Sequence, residues 1–226
     1  MPQFVVITGS DTGVGKTVVT TALGRSLAAA GRRVVAIKPI ESGCPAEVPV
    51  ATEDGVRIAR ATGQQRPTAA LRRYRAAVTP AVAADLEGRP VPLADLLDEI
   101  HHQSRDADIV LLEGAGGLLS PPAWDWSYLD LARELGAAVL VVVANRLGCL
   151  SHTLLTVSAL TAAGVPVIGL VMSEVSEVSA ADESTSSNQA ALARLLPAAR
   201  IAALDYLTPD RIDTARLDAL LPWFDR

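Results

Sequence analysis

The apolar run Phe4-Val5-Val6-Ile7 leads directly into Gly9-Ser10-Asp11-Thr12-Gly13-Val14-Gly15-Lys16-Thr17, and a helix-like stretch follows at once. A strand, a glycine-rich loop and a helix in that order narrow the possible folds sharply, because they form the opening unit of a nucleotide-binding α/β sheet. Glycines let backbone N–H groups approach phosphate oxygens, which assigns Gly13, Val14 and Gly15 to the cradle. Lys16 then reaches the terminal phosphates and Thr17 offers a hydroxyl to Mg2+. ATP or a relative is the expected ligand. One irregularity stands out: five residues separate Gly9 from Gly15, one more than the strict pattern allows.

The same rhythm continues along the chain. Apolar, β-branched runs at 4–8, 34–38, 109–112, 138–143 and 167–172 alternate with helical periodicity from Lys16 and near Asp54, as in a parallel sheet. Val139 to Val143 is apolar on both faces, the mark of a central strand covered on both sides. The 226 residues, half of them hydrophobic, suffice for one core. The expected fold is α/β: a single-domain, doubly wound, mainly parallel sheet flanked by helices, with residues 1–226 forming one phosphate-loop domain. Ligands of such sheets sit beyond the carboxyl ends of the strands, so the residues after Thr8, Ile37, Leu112 and Val143 should meet in one crevice. Ser173 to Ser187, with five serines from Ser176 onward, reads as a mobile loop.

A net charge of −5 and a pI near 5.2 supply no basic field for nucleic acid. No uncharged run approaches membrane-spanning length, and nothing at the start resembles a signal peptide. Cys44 and Cys149 are too few for a disulfide framework. A cytoplasmic protein without nucleic-acid or membrane partners is expected. His101, His102 and His152 lack metal-ligand spacing, and Trp124 and Trp126 read as loop packing. The apolar face of Leu217, Leu220, Leu221 and Phe224 reads as core.

Chemistry-bearing residues collect at strand ends. Lys38 and Ser42 follow the second apolar run, where a cation faces the phosphate loop. Glu113 ends the run 109–112 and resembles the magnesium-holding acid of phosphate-loop nucleotidases. Gly114, Gly116 and Gly117 beyond it admit backbone close to a ligand. Asp54 suits a helix N-cap as well as a metal.

Together the lengthened loop, Lys38-Pro39 with Ser42-Gly43, Asp54, Glu113-Gly114-Ala115-Gly116-Gly117, and Leu147-Gly148-Cys149 followed by His152-Thr153-Leu154-Leu155-Thr156 resemble the dethiobiotin synthetase family. The resemblance spans most of the chain, in order and spacing. It implies an ATP-dependent ligase of biotin synthesis that joins 7,8-diaminononanoate and CO2 through a phosphorylated carbamate. It also implies catalytic roles for Lys16, Lys38 and Thr12, and Mg2+ held by Thr17, Asp54 and Glu113. The implied nucleotide contacts extend to Gly114, Ala115, Gly116, Ser173 and Glu174. Substrate contacts fall on Thr12, Lys38, Ser42, Gly148, Cys149 and Ser151, the last three reaching across a homodimer interface to the partner's substrate.

Two places depart from the family pattern. Ser151 stands where asparagine is usual, and a hydroxyl has shorter reach than an amide. Ser173-Glu174 replaces Asn-Asp at the adenine edge, and a usual proline is replaced near Ala203, which predicts weaker discrimination among nucleoside triphosphates. The competing reading is a nucleotide-switched partitioning-type ATPase acting by dimerisation and partner binding. Its marker, an early lysine in the phosphate loop, is Ser10-Asp11 here. A related amide-forming synthase would carry a glutamine-hydrolysing domain, for which this length leaves no evident room.

Overall fold

The computed structural model describes residues 2–177 and 183–225. In chain order the elements are β1 (Gln3–Gly9), α1 (Lys16–Ala29), β2 (Val34–Ile37), β3 (Ile40–Ser42), α2 (Asp54–Thr62), β4 (Arg72–Tyr74), α3 (Pro80–Glu87) and α4 (Leu93–Gln103). There follow β5 (Ile109–Gly117), α5 (Tyr128–Glu134), β6 (Ala138–Ala144), α6 (Cys149–Ala162), β7 (Val167–Ser173), α7 (Glu183–Leu195), β8 (Ile201–Leu204), α8 (Pro209–Ile212) and a 3-10 helix (Asp218–Trp223). The main sheet runs β2-β5-β1-β6-β7-β8 with every pairing parallel.

Alternation along the strands builds two cores. Val5 and Ile7 of β1, Leu111 of β5 and Val142 of β6 face α1, Ile58 of α2 and the C-terminal residues Leu217, Leu220 and Phe224. Phe4, Val6, Leu112 and Val141 face the opposite way, onto residues of α3 to α7. A period of two thus sends neighbours to opposite sides, and strands apolar at every position are buried on both. The chain turns one way from β1 to β2 and the other way from β5 to β6, so β1 lies at the point of reversal, where such sheets bind ligands.

Three expectations change in detail. β5 does not stop at Leu112 but runs to Gly117, so Glu113 lies inside a strand rather than beyond it. The expected loop 173–187 is shorter at both ends: Ser173 closes β7, and Ser184 to Ser187 lie in α7, with 178–182 outside the described residues. Ser and Thr are only mildly poor helix formers, and buried Leu192 and Asn188 anchor that helix. Finally, β3 and β4 pair in a separate two-stranded parallel sheet, Ile40 opposite Arg72 and Ser42 opposite Tyr74.

Candidate active site

The loop after β1 takes its shape from glycines. Gly13 and Gly15 lie at φ 71° and 92°, and a Cβ on Gly15 would sit 2.6 Å from Ser173 Oγ. No other residue meets both demands at that position. Gly15 begins α1 without any side-chain cap, so the first amides of the helix are left for an anion. Lys16 is buried, and its ammonium donates to the Asp11 carbonyl at 3.1 Å. Burial, and next the nearby Lys38 cation, lower its pKa to about 8.

Lys38 leaves β2 and enters the same space almost fully buried. Its Nζ donates to Glu113 Oε1 at 2.7 Å and to Asp54 Oδ2 at 2.9 Å. Burial opposes its charge, but the Glu113 and Asp54 carboxylates outweigh that and hold the ammonium above its ordinary pKa. Burial likewise opposes the Asp54 charge, and Lys38 overcomes it, keeping Asp54 below the usual carboxylate range. Thr17 Oγ1 donates to Glu113 Oε1 at 2.7 Å. Glu113 Oε2 is buried without a hydrogen-bond partner. A hydroxyl and two carboxylates at one point, one oxygen of them unsatisfied, form an all-oxygen donor set that fits Mg2+.

A cavity of about 430 Å³ gathers these groups: it is lined by Thr12, Gly13, Gly15, Lys16, Thr17, Lys38, Ser42, Asp54, Glu113, Ala115 and Gly116. Residues after Thr8, Ile37 and Leu112 therefore meet here together with the end of β3, whereas those that follow Val143 do not line this cavity. Val14 is also in this loop, but its side chain is buried in the core beside α1. Gly114 turns its carbonyl to Lys38 Nζ at 3.4 Å. A second trough of about 390 Å³ lies alongside, sharing Thr12 and lined by Asp11, Leu118, Leu119, His152 and Leu155.

The remaining predicted residues lie elsewhere. Ser173 is buried against Gly15. Glu174 accepts a hydrogen bond from Asn145 Nδ2, and Asn145 Oδ1 in turn accepts from Asn188 at 3.0 Å. Gly148, Cys149 and Ser151 open α6 outside both cavities: Gly148 and Ser151 are exposed, whereas the Cys149 side chain is packed in the core and its amide donates to Arg146 O at 3.1 Å. Cys149 can therefore offer a bound carboxylate no thiol from the surface. The loop before α6 also reaches the phosphate loop, since Arg146 pairs with Asp11 at 2.9 Å. Glu41 and Arg57 line the main cavity without having been singled out from the sequence. Glu41 directly precedes Ser42, and Asn145 directly follows β6, and closeness to those strand ends is the signal that could have found these two.

A family profile described as "AAA domain" matches residues 3–209. An ATP-dependent dethiobiotin synthetase BioD of Anaeromyxobacter sp. (strain Fw109-5) is 42% identical over 201 residues, 87% of this chain and 88% of that relative. The same-named protein of Mycobacterium leprae (strain Br4923) is 40% identical over 224 residues, 98% of this chain and 95% of its own length. The chain belongs to the ATP-dependent dethiobiotin synthetase family. The Mycobacterium leprae relative matches it nearly end to end, so the lengthened loop, Lys38, Asp54 and Glu113 all fall within that matched span. Among solved structures, apo McdA from Cyanthece superposes with a TM-score of 0.55 at 17% identity, covering 99% of this chain and 94% of that one. That likeness concerns the fold alone.

Proposed function

We propose that the chain carboxylates 7,8-diaminononanoate and closes the ureido ring of dethiobiotin at the expense of ATP, in biotin biosynthesis. Family membership supports the overall reaction, and one observation supports the chemistry: two buried lysines and two carboxylates converge with Thr17 at the mouth of the phosphate loop. An amine of the substrate adds to CO2 and loses a proton, giving a carbamate. A carbamate oxygen attacks the γ-phosphorus of ATP and ADP departs. The second amine then attacks the carbonyl carbon and gives up a proton, the ring closes, and phosphate leaves with the carbamate oxygen that attacked it. Phosphoryl transfer of this kind needs positioning and charge neutralisation rather than a protein nucleophile.

Lys16 and Lys38 supply that neutralisation. Thr17, Asp54 and Glu113 would hold Mg2+, which when bound offsets negative charge on the phosphate oxygens. Thr12, which lines both cavities, and Ser42 contact the carbamate or diamine. The largely apolar trough beside Thr12 suits an alkyl chain. The substrate carboxylate is held at the start of a partner's α6 by Gly148 and Ser151 in a homodimer, since the Cys149 N–H is already given to Arg146 O. Gly148 caps that helix without a side-chain bond, which leaves amides for an anion. The base lies toward Ser173 and Glu174; with Ser173 buried against Gly15, discrimination among ATP, GTP and CTP is weak, read as their ratios of kcat/KM. Among the described residues no helix is long and apolar enough to cross a membrane, and both cysteines are free, which supports a cytoplasmic setting. Release of ADP measured with and without diaminononanoate tests the function. It should require the diamine and CO2; turnover indifferent to the diamine would contradict it.

A further inference from the structure

The first turn of α2 carries Asp54, and its first two amides are satisfied from outside the helix. Glu41 of β3 is buried, 8% exposed; its Oε1 accepts the Asp54 N–H at 2.7 Å and its Oε2 the Gly55 N–H at 2.9 Å. Glu53, the residue before the helix, makes no cap of its own. Its carboxylate is gripped by Arg73 of β4, Nε to Oε2 at 2.7 Å and Nη2 to Oε1 at 2.6 Å. Because β3 and β4 pair side by side, the small sheet holds the helix start from two points. Gly55 completes the fastening, since any Cβ there would collide with the backbone of Ala70.

An acid in the first turn of a helix ordinarily turns back toward the free amides of its own helix, which attract it. The first two of those amides, of Asp54 and Gly55, are engaged by Glu41, and the Asp54 carboxylate instead faces Lys38 across the cavity. Glu41, Cys44 and Glu53 do bring ligand atoms within 4.8 Å of one another, but both carboxylates are committed, to helix amides and to Arg73, so the group is a brace rather than a cation site.

We propose that Glu41 is a positioning residue, a substitute cap for α2 that keeps Asp54 turned outward to serve the metal site. The inference rests on the assignment of Asp54 to Mg2+ above. The test is Mn2+ affinity in the presence of a non-hydrolysable ATP analogue, read by electron paramagnetic resonance, which needs neither diamine nor turnover. Glu41→Ala should weaken Mn2+ binding by about 10-fold, and Glu41→Gln, which keeps one acceptor, should fall between. If Glu41→Ala does not fold, judged by circular dichroism, Glu41→Gln carries the measurement. The Glu41→Ala/Asp54→Ala double variant should bind Mn2+ no more weakly than Asp54→Ala, because Glu41 acts only through Asp54. Additive losses would overturn the proposal, as would wild-type affinity in a folded Glu41→Ala. Wild-type affinity in Asp54→Ala would overturn it together with the metal assignment, while leaving diamine-dependent ADP release, and so the function, intact.

Discussion

Lys16 and Lys38 share one cavity, yet their surroundings drive their proton equilibria in opposite directions. Lys38 has two carboxylates within hydrogen-bond distance, and removing it leaves Glu113 buried and unpaired. Lys38→Ala should therefore cost about 3 kcal/mol of stability and lower kcat about 100-fold or more. Adding Glu113→Gln should recover stability in urea unfolding without recovering rate; full rate in Lys38→Ala would mean its role is misassigned. Lys16 has no carboxylate within hydrogen-bond distance among the described residues, and burial brings its pKa down to about 8 from 10.5. Between those values the unfolded chain holds the proton that the folded chain has released, so this residue's contribution makes the ligand-free protein more stable as pH rises through that window. Nucleotide binding favours the charged form, so affinity for ATP should fall above pH 8, by up to about 10-fold per pH unit. Calorimetric titration at several pH values checks this, and a flat profile above pH 8 would contradict it.

Among the elements, β2 is one edge strand of the main sheet, and Gln64 closes part of that edge. Its Oε1 accepts the Ala36 N–H at 2.7 Å and its Nε2 donates to the Ala36 carbonyl at 2.9 Å, as a neighbouring strand would. Gln64→Ala should cost about 1–3 kcal/mol by thermal or urea unfolding, and an unchanged midpoint would show the edge needs no such closure. The elements that carry the site were largely legible. β1, β2, β6 and β7 are runs of apolar, β-branched residues, and the glycine loop marks where α1 starts. β3 and β4 were not: Ile40-Glu41-Ser42 and Arg72-Arg73-Tyr74 are three residues each with polar side chains among them, too short for alternation to show. Their role depends on a contact distant in sequence, Arg73 with Glu53, which no local pattern encodes. Lys38, Thr17 and Glu113 were each visible in the sequence, but their meeting at 2.7 Å follows only from β5 lying between β1 and β2.

At the scale of the whole molecule, the site is incomplete in one chain if the substrate carboxylate is held by a partner's α6. Gly148 and Ser151 are exposed and outside both cavities, as that arrangement requires. Ser151→Asp, which sets a negative charge against the carboxylate, should be inactive, as should Lys16→Ala. Mixed and allowed to exchange subunits, the two should regain about a quarter of wild-type turnover, since half the dimers would be hybrids with one intact site each. A mixture that stays inactive would place both residues in one chain's site or deny the dimer. The central claim is that this phosphate loop activates a carbamate. Its most direct test supplies purified protein with diaminononanoate, MgATP and carbon-labelled bicarbonate, and follows the label by mass spectrometry. The account predicts label in the ureido carbon of dethiobiotin, formed one for one with ADP; ADP formed with no label in that product would contradict it.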